Sequence, residues 1–206
     1  MGRNHLHVDI VVFDGFEPLD AFGPVEMLGY LGRADGSPVA TDIRLVSLDG
    51  GVVRGSYGAA VATEAMRATD SPDIMLVPGG VGTRALVDDD RFVSTLASLA
   101  ERATHCLTVC TGSAALARTG LLDGRRATSN KRALNWVKSV RPQVTWVNRA
   151  RWVSDGKFVT SSGVSAGIDM ALGFIASLYS TDLARTVAHN TEYVWHDVPD
   201  VDPFAA

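Results

Sequence analysis

The chain has 206 residues, 46% of them hydrophobic, with 20 glycines and a net charge of −4; its isoelectric point is about 5.7. That length suits one globular domain, residues 1–206, with a well-filled core and many tight turns. The acidic balance, and the lack of any Lys/Arg run interleaved with aromatics, exclude phosphate-backbone binding, so no nucleic-acid partner is expected. No apolar stretch reaches about 18 residues, so no membrane span is expected. The segment Met1–His7 lacks the apolar region of a signal peptide, and Leu6 stands where a myristoylation site needs Ser or Thr. Cys106 and Cys110, on one strand, would sit roughly 13 Å apart at about 3.3 Å per residue. That is too far for a disulfide, and a reduced, cytoplasmic protein is expected.

In chain order, Val8–Phe13, Ile43–Ser47, Ile74–Val77 and His105–Val109 are short, nearly continuous apolar runs, the pattern of strands covered on both faces. Gly51–Thr63 alternates and carries the turn signal Asp49-Gly-Gly51, which predicts a hairpin or edge strand. Phe92, Leu96, Leu99 and Ala103 recur at helical spacing behind Asp90, taken as the N-cap. Asn130–Val140 and Thr181–Tyr193 read as helices, and Val144–Ser162 as another hairpin around Ser154-Asp-Gly156. Ile168, Leu172, Ile175 and Tyr179 predict a helix capped near Ser165. Val198–Phe204 contains helix-breaking prolines and is expected to run irregularly over the surface. Alternating strands and helices predict an α/β protein with a mostly parallel sheet and helices on both faces.

In His105-Cys-Leu-Thr-Val-Cys110-Thr-Gly-Ser113, a strand ends at Cys110, Thr-Gly follows, and a helix-forming run begins. A thiol on such a turn has the geometry of a nucleophile elbow with sulfur for oxygen. The helix N-terminus and its N–H groups would favour a thiolate. The alternative is a small buried hydrophobe, the usual state of a free cysteine and the one expected of Cys106. Ligands in open α/β sheets bind outside the carboxyl ends of the strands. Three segments map to that edge: Asp14–Pro24, Val77–Gly82 and the Cys110 turn. Gly79-Gly80-Val-Gly82 lacks the full dinucleotide pattern; it reads as a tight turn or as a pair of oxyanion N–H donors beside the thiol. Glu17 and Asp20 are the nearby carboxylates, either first-turn acids or proton partners for the sulfur. His5 and His7 are expected at a frayed terminus, and His105 is too far along its strand to serve Cys110 as a base. His189 and His196 read as structural, so no Cys–His dyad and no metal-ligand spacing emerges.

These residues bring the chain close to a known group. Asp14-Gly-Phe-Glu-Pro-Leu-Asp20-Ala-Phe-Gly-Pro24, Leu76-Val-Pro-Gly-Gly80, Val109-Cys-Thr-Gly-Ser113, Gly120-Leu-Leu-Asp-Gly-Arg-Arg-Ala-Thr128 and Ser162-Gly-Val-Ser-Ala-Gly-Ile-Asp-Met-Ala171 resemble the ThiJ/PfpI superfamily from about Val8 to Leu178. The resemblance implies a flavodoxin-like three-layer sandwich, related to class I glutamine amidotransferase domains. Leu19-Asp20-x-x-Gly-Pro24 with Cys110-Thr-Gly looks like the isonitrile (isocyanide) hydratase branch, and like sensor domains of regulators that carry a helix-turn-helix domain after them. The chain ends at Ala206, so the lone domain is expected, as a homodimer without cofactor or metal.

The same resemblance implies Cys110 as nucleophile, Asp20 as the acid against it, and Thr111, Gly79 and Gly80 as substrate-binding residues. Two departures matter. Thr111 stands where PfpI-type proteases carry His, and Asn130 ends Ala127-Thr-Ser-Asn130 where many members read Ala-Thr-Thr-His. Hydration of a small electrophile, an isonitrile giving an N-substituted formamide, is therefore the leading expectation. A non-enzymatic redox or ligand sensor and a glyoxalase- or amidase-like enzyme are the alternatives.

Overall fold

The computed structural model describes residues 4–205. Ten strands, β1 (Asn4–Val11), β2 (Val39–Ser47), β3 (Gly51–Arg54), β4 (Ala60–Ala65), β5 (Ile74–Val77), β6 (His105–Thr108), β7 (Arg126–Ala127), β8 (Thr145–Trp146), β9 (Trp152–Asp155) and β10 (Phe158–Ser161), alternate with helices. The α-helices are α1 (Pro18–Leu31), α2 (Thr83–Leu86), α3 (Asp90–Arg102), α4 (Gly112–Arg118), α5 (Leu134–Val140), α6 (Ala166–Leu178) and α7 (Thr181–Asn190). Eight strands form one sheet in the order β3-β4-β2-β1-β5-β6-β10-β9, and β7 pairs with β8 apart from it. The central pairs are all parallel; only β3–β4 and β9–β10 at the edges run antiparallel.

The expected α/β architecture is therefore present. Helices α1, α6 and α7 pack on one another as one group, and α2, α3 and α5 gather around α4 as another. All four residues of β5 are fully buried, and so are Val8, Ile10 and Val11 of β1, because helices cover both faces. Asp9 interrupts that apolar run. It is buried, and Arg44 of the neighbouring β2 meets it with Nε and Nη2 at 2.9 and 2.8 Å. Removing the guanidinium would strand a carboxylate that water cannot reach.

Several boundaries differ from the sequence reading. His5 and His7 lie in β1, in register with Ala40 and Asp42 of β2, because parallel pairing extends the strand past its apolar part. The cap of α3 is Asp89, one residue earlier than expected; its Oδ1 accepts the Phe92 N–H at 3.0 Å. Asn130–Val140 is a 3₁₀ turn, Lys131–Ala133, followed by the shorter α5. The stretch Met1–Gly2 lies outside the described residues. Both expected hairpins form, at β3–β4 and β9–β10, yet β4 and β10 also extend the main sheet by parallel pairing.

The tail after α7 is irregular, as its prolines require, but it is anchored rather than draped. Asp169 of α6 is fully buried; its carboxylate accepts from Arg151 Nε at 2.7 Å and pairs with Nη2 as well. The same carboxylate takes the Tyr193 hydroxyl and the His196 N–H, each at 3.0 Å, while the Asp169 carbonyl takes Trp195 Nε1 at 3.1 Å. Arg151 N–H donates to the Pro199 carbonyl at 2.7 Å. Buried Asp202 sits 3.6 Å from Lys131 Nζ and 3.9 Å from Arg151 Nη1. An Arg151→Ala substitution leaves Asp169 charged and unpaired, which costs about 3–5 kcal/mol. Thermal denaturation should show a fall on the order of 10 °C, and an unchanged midpoint would contradict this account of the tail.

Candidate active site

Strand order reverses beside β1, where β2 leaves in one direction and β5 in the other, so the loops after β1, β5 and β6 meet at one sheet edge. Backbone bonds stitch these loops together. Glu17 N–H donates to the Gly79 carbonyl at 2.8 Å, and Phe16 forms an isolated bridge with Gly80. Gly80 has φ 131°, and a Cβ there would lie 2.2 Å from the Gly15 carbonyl oxygen, so neither the conformation nor the space admits a side chain.

Cys110 follows β6 with φ 58°, a left-handed conformation that costs a residue with a Cβ about 1–2 kcal/mol. Its surroundings hold it there. The amide N–H lies 3.2 Å from both the Ser161 and Ser162 carbonyls. Its carbonyl accepts the Ser113 and Ser129 hydroxyls at 3.0 and 2.7 Å. This is the strained elbow expected from the motif, with α4 starting two residues later. Cys106 lies fully buried on β6 four residues earlier, its thiol directed to the Ala100 carbonyl at 3.3 Å.

Asp20 stands in the first turn of α1 and lies against the sulfur. It is completely buried. Oδ2 accepts the Gly79 N–H at 3.0 Å. Oδ1 meets no directed hydrogen bond; the Cys110 sulfur lies near enough to interact with the carboxyl without one. Burial pushes the Asp20 pKa up to about 7, and the charge of nearby Glu17 adds to this against the Gly79 hydrogen bond and the interaction with the Cys110 sulfur. Burial also raises the Cys110 thiol, and the adjacent Asp20 charge raises it further. The expected helix-terminus thiolate is thus overridden in the resting pair: α4 has seven residues, and the desolvated sulfur faces a carboxylate. Two groups in one dry space compete for one proton, and the carboxylic acid–thiolate arrangement is one of the two ways to place it.

Two donors oppose that rise: the Thr111 backbone N–H and the Asn130 side chain. Asn130 Oδ1 is occupied by the N–H groups of Arg132 and Ala133 at 3.0 and 3.1 Å. The cap therefore turns the NH₂ end toward Cys110. Gly163 forms the floor beneath both; a Cβ there would lie 2.4 Å from Asn130 Nδ2 and 2.7 Å from Cys110 Sγ. Sequence reasoning met Asn130 only as a missing histidine. The signal available was an asparagine opening a helical run, the pattern of a capping residue.

The structure assigns other work to three expected residues. Gly79 N–H is taken by Asp20 and Gly80 N–H by Thr111 Oγ1 at 3.1 Å, so the two amides are not open oxyanion donors. The Thr111 hydroxyl is engaged by Gly80 and by the Thr83 hydroxyl, the latter at 3.1 Å, which ties the β5 loop to the elbow. What Thr111 offers the sulfur is its backbone N–H. A cavity of about 430 Å³ adjoins these neighbours of the sulfur, its walls including Leu19, Asn130, Gly163, Val164 and Phe204. Cys110 itself is only 7% exposed.

The electrostatics make the pH profile of Cys110 alkylation informative. Replacing Asp20 by Asn removes the carboxylate and should move the iodoacetamide profile to lower pH; Asn130→Ala removes a donor and should move it higher. Shifts in the reverse sense would contradict the assignment. Stability carries the same signature. Asp20 binds its proton more tightly folded than unfolded, so its stabilising contribution is complete below about pH 4 and is lost as pH rises through about 7. Denaturant melts should show the wild type losing stability relative to Asp20→Asn over that window, by a few kcal/mol.

The model of the DJ-1/PfpI family matches residues 7–177. Isonitrile hydratase of Pseudomonas putida is 31% identical over 191 residues, covering 91% of this chain and 78% of that protein. The HTH-type transcriptional regulator GbdR of Pseudomonas aeruginosa is 30% identical over 90% of this chain, which spans 50% of the regulator. Among solved structures, a ThiJ/PfpI family protein from Pseudomonas syringae superposes with a TM-score of 0.80 at 28% identity, over 99% of this chain and 78% of that one. Drosophila melanogaster DJ-1beta, with a TM-score of 0.77 at 20% identity over 93% of this chain and 100% of its own, shares the flavodoxin-like fold. With its sheet, its cysteine elbow and these matches in agreement, the chain belongs to the DJ-1/PfpI family.

Proposed function

We propose that the protein hydrates an isonitrile, R–N≡C, to the N-substituted formamide R–NH–CHO. The observation that carries this is the Asp20–Cys110 pair: a buried carboxyl with its pKa near 7 against a nucleophilic sulfur, with no histidine base between them. The terminal isonitrile carbon accepts a proton and a nucleophile on the same atom. A carboxylic acid beside a thiolate supplies both at once.

In the state with the shared proton on Asp20, that proton passes to the terminal carbon as the Cys110 sulfur bonds to it. The C≡N bond becomes C=N, giving the thioimidate R–N=CH–S–Cys110. The Asp20 carboxylate, now ionised, takes a proton from water as its oxygen adds to the same carbon, and hands that proton to the nitrogen, which leaves Asp20 free to accept the hydroxyl proton when the adduct collapses. The tetrahedral adduct collapses, the C–S bond breaks, and formamide leaves with sulfur restored as thiolate and Asp20 protonated. Asn130 Nδ2 and the Thr111 N–H stabilise the sulfur whenever it carries charge. Removal of hydrolytic histidines from both flanking positions fits addition rather than peptide cleavage.

Sensing remains the second reading because GbdR, a regulator, shares this chain's span at 30% identity. Oxidation of the sulfur, however, also follows exposure, and Cys110 is buried. Formamide production from cyclohexyl isonitrile, followed by mass spectrometry, should vanish in Cys110→Ala and fall about 10²–10⁴-fold in Asp20→Asn. Turnover by Cys110→Ala would refute the mechanism; peroxide oxidation at Cys110 without any isonitrile turnover would favour the sensor.

A further inference from the structure

Beside the pocket lined by Asn130 and Gly163 lies a larger cavity, about 660 Å³, walled by Arg151, Trp195, His196, Val198, Val201 and Pro203. Ser165 and Phe204 line both cavities, so the two adjoin. Each volume falls in the range of sites that enclose drug-sized ligands, about 300–1,000 Å³. The walls come mostly from the irregular tail. Its apolar side chains are held out: Val198 is 54% exposed, Val201 60% and Phe204 70%. A tail with nothing to hold would leave such residues free to collapse. Here polar anchors prevent it. Trp195 and His196 are tied to Asp169, Pro199 to the Arg151 amide, and Asp202 to the Arg149 carbonyl by its own N–H at 2.8 Å. Asp202 Oδ1 also accepts the Phe204 N–H at 3.0 Å. The Arg151 guanidinium is spent on Asp169, and Trp195 Nε1 on the Asp169 carbonyl. What faces the cavity is therefore largely apolar surface, fixed in place before anything binds.

The chemistry of the neighbouring site says what would enter. An isonitrile is linear through carbon, nitrogen and the first atom of its substituent. With its terminal carbon on the Cys110 sulfur, the substituent would enter the nearer pocket beside Asn130 and Gly163, and a long one would reach the wall of Ser165 and Phe204 that the two cavities share. We propose that the tail cavity is the subsite for that substituent, and that the preferred substrate is an isonitrile bearing an extended apolar group, such as an aryl-alkyl chain. This rests on the hydratase reading and names its substrate class. It also makes Phe204 and Val201 specificity-determining residues.

The test compares kcat/KM for 4-phenylbutyl isonitrile and methyl isonitrile. The wild type should favour the phenylbutyl compound. Val201→Trp, which fills the cavity from an exposed position, should lower the ratio of the two values about tenfold or more, chiefly through KM for the longer substrate. Phe204→Ala, which removes the shared wall, should lower the same ratio by a different route. Both variants replace exposed side chains, and matching melting curves check that they fold. A ratio unchanged within twofold in both variants, with both substrates still turned over, overturns the subsite and leaves the hydratase reading standing. Loss of a dimer in Val201→Trp by sedimentation, with the ratio unchanged, also overturns it by assigning the cavity to a second copy of the chain. Failure of the wild type to hydrate either compound instead overturns the hydratase reading, and this assignment with it.

Discussion

A carboxyl and a thiol are buried together at the carboxyl edge of a parallel sheet, and the arrangement of that edge follows from this. Neither group can ionise freely, because both are buried and each charge would face the other. Asp20 must be brought in on α1 with one oxygen satisfied by Gly79, and Gly79 must lack a side chain: a Cβ there would lie 2.8 Å from Asp20 Oδ2 and 2.6 Å from the Thr111 nitrogen. Cys110 must adopt a left-handed turn, and the serines at positions 113 and 129 hold its carbonyl there. The glycines, the hydroxyl network of Thr83 and Thr111, and the bond from Glu17 to Gly79 are consequences of bringing three loops within a few ångströms.

The second organising element is ionic and lies behind the site. Lys131, one residue after the amide that faces the sulfur, places its ammonium among the Thr128 hydroxyl, the Ala150 carbonyl and Asp202. Arg151 and Asp169 join the same buried region. Such pairs add little net stability over apolar residues of equal volume, but they define one arrangement, since any slippage leaves a charge without a partner. The tail is thereby set against the pocket, and the position of Asn130 is joined to it through the chain.

Chemistry and placement are consistent. A soft sulfur, a buried carboxyl that titrates near pH 7 and a largely apolar pocket suit the uncharged, linear electrophile proposed above better than a peptide or a phosphate ester. Asn130 contributes a donor without a proton to exchange, so it can steady a thiolate and cannot serve as its base. Where relatives with histidine have a second titrating group, this chain has a fixed dipole.

The sequence by itself determined the sheet and its edge. Ile74–Val77 is buried on both faces and has no other stable use; the Phe92, Leu96 and Leu99 stripe and the Ile168–Ile175 stripe have helical period; and a cysteine followed by Thr-Gly between strand and helix has one sharp turn available. These are local signals, carried by neighbours in the chain. Only the tertiary structure decided the rest. That the Gly79 and Gly80 amides are already taken, that Asn130 turns its nitrogen to the sulfur, and that Arg151, Asp169 and Asp202 bind the tail all join residues 18 or more positions apart. Ionisation belongs to this second class. A helix terminus beside Cys110 is visible in the sequence and favours a thiolate, but the desolvation and the Asp20 charge that outweigh it exist only once the chain has folded around them.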